Sequence, residues 1–138
     1  MNYVAWAVVA LGSYTMVPIL MKAATEEIPS DVAAMISNSI LVVITAGVVV
    51  FEGRSVRPYL TQPRSVYVYA AGVFLAVGIL SYYRALSMGE ISVVVPIFGM
   101  FIVTSSVVGM VFLGESVTTR KIVGISLAVV AVYLTSVE

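Results

Sequence analysis

The chain alternates between long apolar stretches and short polar segments. The apolar stretches cover residues 3–21, 32–51, 66–86, 91–113 and 120–137. At a rise of about 1.5 Å per residue, each crosses or nearly crosses a hydrocarbon core of roughly 30 Å. The last two are joined by a polar hairpin around residues 114–121, which is too short to be anything but a turn at the membrane surface. The pattern predicts an all-α membrane protein with five transmembrane helices in one domain, residues 1–138.

The polar residues at the ends of these stretches predict where the helices begin and end. The first stretch has no basic residue before it and is too long for a cleaved signal, so we expect a retained helix. We expect Lys22 to anchor its end at the interface and Pro18 to bend its last turn. Ser30 or Asp31 is predicted to cap the second helix, and Gly89 to end the third.

The composition fits a membrane protein and disfavours several other classes. Of the 138 residues, 61% are hydrophobic and 10% charged, whereas a soluble domain carries about 25% charged residues. The mean hydropathy is +1.10. The net charge of zero removes the electrostatic case for nucleic-acid binding. The chain has no Cys and no His, so the commonest metal ligands and the commonest general base are missing. We expect neither an enzyme nor a bound cofactor or metal.

The distribution of basic residues predicts the orientation in the cell membrane. Five basic residues fall on the side of the N-terminus and two, Lys22 and Arg84, on the opposite side. The five are Arg54, Arg57, Arg64, Arg120 and Lys121. Because Lys and Arg are retained in the cytoplasm, the N-terminus is predicted inside and the C-terminus outside.

From Tyr82 onward the sequence resembles the second part of an EamA-type repeat of the drug/metabolite transporter superfamily. The resemblance rests on an aromatic-rich helix end, a glycine turn, a helix with Ser-Val and Pro, a Gly-Glu pair and a final helix that opens with Gly. These features fall on Tyr82, Tyr83, Ala85, Leu86, Gly89, Ser92, Pro96, Gly114, Glu115 and Gly124. The resemblance implies a carrier of small metabolites or drugs.

Family members usually hold two five-helix repeats, inserted in opposite orientations around a central cavity, and this chain has one. A single repeat would expose half of the cavity wall to lipid, so we expect a half-transporter that works by alternating access after pairing. The logic of inverted repeats favours an antiparallel pair. The charge bias opposes equal use of both orientations, which leaves two alternatives. Either the bias is too weak to fix one topology and the chain forms a homodimer, or a paralogous, oppositely oriented chain completes a heteromer.

Six residues are candidates for the lining of the cavity, and two for a hinge. The lining candidates are Tyr14, Asn38, Tyr82, Tyr83, Arg84 and Ser92; the hinge candidates are Pro96 and Gly99. Tyr14 lies deep in the first helix, and the Asn38 amide is too polar to face lipid. Four of the lining candidates also have a structural interpretation: Asn38 as a bond between helices, the Tyr82-Tyr83 pair as interfacial residues, and Arg84 as a side chain that extends to the membrane surface.

Two further expectations concern mechanism. No Asp, Glu or His lies inside a predicted helix, so we expect facilitated exchange or uniport rather than proton coupling. The hydroxyls of Thr104, Ser105 and Ser106 spread around the fourth helix, and some must bond back to the carbonyl four residues earlier. The alternative function is a non-transporting membrane subunit or scaffold, which would tolerate Asn38→Leu and Tyr14→Phe.

Overall fold

The computed structural model describes residues 2–114 and 116–136, and its regular structure there is helical. Two helices, α1 (Tyr3–Ala24) and α2 (Ser30–Phe51), precede a loop that contains a single 3₁₀ turn, Arg57–Tyr59. The remaining helices are α3 (Ser65–Met88), α4 (Ile91–Gly99), α5 (Phe101–Phe112) and α6 (Thr119–Ser136).

The predicted all-α membrane fold is confirmed. Within the described residues, four helical stretches are long and apolar enough to cross a membrane: α1, α2, α3 and the continuous stretch Ile91–Phe112. The fifth apolar helix, α6, has 18 residues. The first and third helices extend two or three residues beyond their predicted ends, because nothing in the sequence after them breaks a helix immediately. Lys22 therefore belongs to the last turn of α1.

The predicted cap of α2 is wrong. The N-cap is Pro29, in an extended conformation with ψ 137°, and no side chain caps the helix. The proline ring fixes φ of Pro29 near the value required at the start of a helix, so the helix begins here without a capping side chain. Ser30 is consequently the first helical residue and is buried, and Asp31 lies in the first turn, where its charge favours the positive end of the helix dipole.

The end of α2 is a Schellman motif that was not predicted. Gly53 has φ +64°, its N–H donates to the carbonyl of Val50 at 3.0 Å, and the Arg54 N–H donates to Val49 at 3.1 Å. Both bonds satisfy carbonyls that the helix end would otherwise leave open. At the end of α3, which stops at Met88 as Gly89 predicts, the glycine is not in the left-handed region.

Residues Met1–Met88 form one compact unit, in which α3 packs against both α1 and α2. Most of its buried residues gather where α1 ends, α2 begins and α3 ends, and one more, Ser65, is buried at the start of α3. The clustered residues are Pro18, Met21, Ser30, Ala33, Ala34, Tyr82, Tyr83 and Leu86. The side chains along the rest of these helices are largely exposed. This unit is therefore packed tightly at one membrane boundary and open along most of its length.

The loop between α2 and α3 is fastened to the start of α3. The Ser65 hydroxyl donates to the carbonyl of Tyr59, and one turn later the Tyr69 hydroxyl donates to the carbonyl of Leu60 at 2.6 Å. An exposed ion pair of 2.9 Å joins Arg54 to Glu52. The two hydroxyl hydrogen bonds hold the loop against the beginning of α3.

Residues Gly89–Glu138 form the second compact unit, which contains α4, α5 and α6. The predicted fourth helix is interrupted at Met100, one turn after Pro96, and α6 packs mainly against the first of the two segments. Pro96 removes the N–H that would bond to Ser92, and Gly99 adds backbone freedom next to the interruption. Glu115, the acidic residue of the Gly-Glu pair, lies outside the described residues.

Candidate functional site

A lysine joins the ends of the first and third helices. The Lys22 ammonium donates a hydrogen bond of 2.8 Å to the carbonyl of Leu86. Leu86 lies in the last turn of α3, where carbonyls have no partner within the helix, and its own side chain is completely buried. Lys22 was predicted as an interfacial anchor, and its contact with Leu86 was not predicted. The contact could have been suspected from the sequence, because Lys22 lies at the end of one helix and the third helix ends on the same side of the membrane.

Tyr82 and Tyr83 lie in this packed end of the first unit. Both are buried, with 8% and 5% of their surface exposed, and their ring centroids are 6.0 Å apart. Side chains this deeply covered offer little surface to a solute within the single chain. Their predicted place in the cavity wall stays a prediction.

Tyr14 is in the opposite situation. It lies at the middle of the 22-residue helix α1, and 71% of its surface is exposed. Among the described residues, nothing forms a hydrogen bond with its hydroxyl. The flanking Ser13 and Thr15 hydroxyls, by contrast, donate to carbonyls of their own helix at 2.9 and 2.8 Å. Tyr14 is thus a polar group in the middle of an apolar helix that has no hydrogen-bond partner within the described residues.

Asn38 is half-buried on α2, and its amide donates to the carbonyl of Ala34 at 2.8 Å. That bond is within its own helix, so the contact does not join two helices. The amide oxygen retains its capacity to accept a hydrogen bond. Asn38 therefore keeps one polar atom for a solute or a partner chain, and its place in a cavity stays a prediction.

Arg84 lines an open pocket of about 330 Å³ between the start of α2 and the last turns of α3. The other lining residues are Ser30, Asp31, Leu80 and Ser81. Arg84 itself is exposed, and no ion pair links it to Asp31 among the described residues. Arg84 was predicted from the sequence as a site residue, whereas Ser30 and Asp31 were predicted only as helix caps. Their approach to Arg84 was not predicted, because α2 and α3 are separated by a long loop and their pairing is a tertiary feature.

The remaining predicted residues belong to the second unit. Ser92 is exposed in the first turn of α4, and its hydroxyl donates to the Glu90 carboxylate at 3.4 Å. Pro96 is half-buried, and Gly99 is the last residue of α4, immediately before the interruption at Met100. The hinge candidates thus coincide with an irregularity of the helix.

The hydroxyls of α5, the second segment of the predicted fourth helix, donate to carbonyls of their own helix, as predicted. Ser106 donates to the carbonyl of Ile102 at 2.7 Å, and Thr104 donates to that of Met100 at 3.3 Å. Satisfied in this way, these side chains can face lipid or another helix without an unpaired polar group. They need no solute to explain their presence.

A mostly apolar groove of about 290 Å³ runs between α5 and α6. Its lining residues are Ile102, Val103, Ser106, Met110, Lys121, Gly124, Ile125 and Ala128. Gly124 and Ala128 are one turn apart on α6, the spacing at which small residues let membrane helices approach closely. A Cβ added at Gly124 would meet nothing within 4 Å, so packing inside the chain does not require a glycine there.

Comparison with known proteins gives a family and one curated relative. The EamA-like transporter family matches residues 1–137. A protein of Sinorhizobium sp, described as an uncharacterized transporter in the cobO 3' region, is 25% identical over 122 residues. That match covers 88% of this chain and 86% of the relative, so the two are of similar length. No solved structure matches the chain.

Proposed function

Because the chain belongs to the EamA-like transporter family, it is a multi-pass membrane transporter of the drug/metabolite type, and we propose that it acts as half of a carrier. In this proposal, a second five-helix chain completes a cavity for a small metabolite or drug. The pair then exposes that cavity alternately to the two sides of the cell membrane. The second chain is another copy or a paralogue.

The observation that carries this proposal is the exposed hydroxyl of Tyr14. The hydrocarbon core extends about 15 Å to either side of its midplane, which is far more than a tyrosine side chain can bridge from the centre of α1. A hydroxyl left in hydrocarbon without a partner costs about 2–7 kcal/mol. A facing chain or a water-filled cavity removes that cost, and pairing supplies both.

Three further features support pairing. The first unit is open along most of its length, the α5–α6 groove offers a close-packing surface, and the aligned relative is also about this long. Pairing of two halves explains all three features. We propose an antiparallel arrangement, in keeping with the midplane sites of inverted repeats.

The proposed mechanism places the solute near Tyr14 and Asn38 and the moving part at Pro96 and Gly99. A helix interrupted at Met100 can change direction there without breaking further backbone bonds, since its ladder is already discontinuous. Two segments, α4 and α5, would then tilt separately as the cavity changes sides. A small change of backbone angles at the interruption would let two rigid helical segments move between two arrangements.

We propose uniport or exchange without proton coupling. The one carboxylate inside a described helix is Asp31, in the first turn of α2, so the expectation of none is corrected by the earlier start of that helix. Asp31 lies at the membrane boundary and not at the midplane, where proton-coupling carboxylates of carriers are expected to act. A pH gradient should therefore not drive accumulation.

Topology and stoichiometry can be tested together, because the chain contains no cysteine. Single cysteines at Glu27 and Gln62, in the loops on opposite sides of the membrane, are labelled in intact cells with an impermeant maleimide. A fixed orientation with the N-terminus inside labels only Glu27→Cys, and a dual orientation labels about half of each. Cross-linking of the same variants then counts the chains in the complex.

Transport itself is tested in proteoliposomes loaded with a ¹³C-labelled extract of small metabolites, with mass spectrometry of what leaves. We expect protein-dependent efflux of at least one compound, reduced by Tyr14→Phe and by Asn38→Leu in folded protein. A scaffold would give no efflux, or an efflux that both variants leave unchanged. A protein that forms no cross-linked dimer and still gives full efflux would contradict the half-carrier proposal.

A further inference from the structure

The open pocket between the start of α2 and the last turns of α3 has a built-in order of polarity along the helix axis. Ser30 and Asp31 are the first two residues of α2, and Arg84 lies four residues before the end of α3, about 6 Å inside it. Leu80 lies one turn deeper. The two charged groups and Ser30 are thus nearest the membrane surface, and Leu80 lies toward the hydrocarbon together with the Ser81 hydroxyl.

One buried group of the pocket has an unmet hydrogen-bonding capacity. Ser30 is 8% exposed, and within residues 2–114 and 116–136 nothing is bonded to its hydroxyl. That hydroxyl lines the pocket, so a ligand there is its available partner. Within the described residues no buried side-chain oxygen lacks a partner, so the Ser30 hydroxyl is open to the pocket, where it can form a hydrogen bond with an occupant.

The charges of the pocket specify an occupant of mixed charge. Arg84 and the amino end of α2 favour a phosphate or carboxylate, since guanidinium forks and helix N-termini both bind oxyanions. Asp31 lines the same pocket without an ion pair to Arg84. A carboxylate in that place disfavours a purely anionic ligand and favours one that also carries an ammonium.

We propose that this pocket binds the headgroup of phosphatidylethanolamine from the adjacent leaflet. The lipid phosphate accepts hydrogen bonds from Arg84 and Ser30, and the primary ammonium donates to Asp31. The glycerol and the upper acyl chains lie beside Leu80. The pocket opens at the depth where lipid headgroups meet hydrocarbon, and a phosphate there also pairs the guanidinium that α3 holds below the membrane surface.

A quaternary ammonium cannot donate a hydrogen bond, and this predicts the selectivity. Phosphatidylcholine keeps the phosphate but loses the donors to Asp31, and phosphatidylglycerol keeps the phosphate but has no cation. Both should bind more weakly than phosphatidylethanolamine. Mono- and dimethylated ethanolamine lipids should fall between the two extremes, in order of the N–H groups they retain.

The test uses full-length, delipidated protein in detergent, with native mass spectrometry of retained lipid. Phosphatidylethanolamine, its two methylated forms and phosphatidylcholine are offered in equimolar pairs with identical acyl chains. For the wild type we expect about tenfold enrichment of phosphatidylethanolamine over phosphatidylcholine, with a graded series between them. Equal retention of all four lipids would overturn the proposal without any variant being needed.

Variants then assign the two charges. Arg84→Gln should lose most retention of every phospholipid at this site, whereas Asp31→Asn should retain lipid but lose the preference for the primary ammonium. Arg57→Gln, in the exposed loop between α2 and α3, is the matched control and should change neither. An unchanged preference in Asp31→Asn would contradict the assignment, as would an unchanged retention in folded Arg84→Gln.

A soluble ligand with the same chemistry is distinguished by competition. Free O-phosphoethanolamine should displace the lipid poorly, because it lacks the acyl chains beside Leu80. Tight binding of the free compound with no retained lipid would overturn the lipid assignment in favour of a soluble phosphate ester. The outcome is independent of the half-carrier proposal, since retention of lipid is measured without transport.

Discussion

The Lys22 ammonium lies 2.8 Å from the carbonyl oxygen of Leu86 and donates a hydrogen bond to it. The two residues are 64 positions apart in the chain, and each is in the last turn of its helix. Both helix ends carry partial negative charge, which favours a cation between them. This contact links the first and third helices at the boundary where the first unit is packed.

Replacing Lys22 by Met should destabilise the fold. The variant leaves the Leu86 carbonyl without its donor, and a hydrogen bond to a charged group contributes about 1.5–3 kcal/mol. We expect that loss in the free energy of unfolding in detergent, followed by circular dichroism against denaturant. Arg57→Met removes an exposed cation from the loop and should change the free energy by less than about 0.5 kcal/mol. Equal stability of the Lys22 variant and the wild type would show that the contact is not stabilising.

Two glycine-to-alanine substitutions should act with opposite sign. Gly53 has φ +64° in the Schellman motif after α2, and alanine in that conformation costs about 1 kcal/mol. Gly72 lies inside α3 with nothing within 4 Å of an added Cβ, so alanine there should stabilise the helix by up to about 1 kcal/mol. The same unfolding measurement on both variants checks the difference. If Gly53→Ala is as stable as Gly72→Ala, alanine is not strained in the left-handed conformation of residue 53.

Tyr14→Phe should reduce transport without reducing stability. Its hydroxyl has no partner among the described residues, so the fold of the single chain loses nothing when it is removed. If the hydroxyl contacts the solute, we expect about a tenfold lower flux in proteoliposomes, equivalent to about 1.4 kcal/mol. Tyr133→Phe, an exposed tyrosine near the end of α6, is the control and should transport normally. Unchanged flux in the Tyr14 variant would show that the Tyr14 hydroxyl does not contact the solute.

Gly124→Leu should weaken pairing while the single chain still folds. The added side chain enters the α5–α6 groove, where a second chain would approach closely, and meets nothing of its own chain within 4 Å of its Cβ. We expect at least a tenfold smaller fraction of cross-linked dimer in membranes. Gly124→Ala should pair almost normally, and Val123→Leu adds volume outside the groove lining as a matched control. Pairing that survives Gly124→Leu would place the interface elsewhere.

The number and type of the helices could be predicted because lipid imposes a simple requirement. A segment such as Ser65–Met88 must be apolar along its length and must satisfy its backbone internally, so hydropathy and length suffice to find it. The exact ends could not be found in this way. Pro29 replaced the expected Ser30 or Asp31 as N-cap, and the interruption at Met100 depends on local backbone geometry around Pro96.

Individual site residues were predictable where a polar side chain stands alone in an apolar helix, as Tyr14 and Asn38 do. Their surroundings were not. Arg84 could be named from sequence, but the approach of Ser30 and Asp31 to it depends on how α2 packs against α3 across a long loop. No periodicity within either helix specifies that register, because residues distant in the chain determine it.

By itself, therefore, the sequence determined that this protein is embedded in lipid. Its five apolar helices satisfy their backbone hydrogen bonds internally and can face hydrocarbon, and the sequence from Tyr82 onward resembles a known family. The tertiary structure decided which polar groups already have partners and which do not. Lys22 is committed to Leu86, whereas Tyr14 and Ser30 have hydroxyls with no partner in the described chain. The reason is physical: hydropathy sums over residues one at a time, whereas a hydrogen bond depends on the positions of two atoms that only packing brings together.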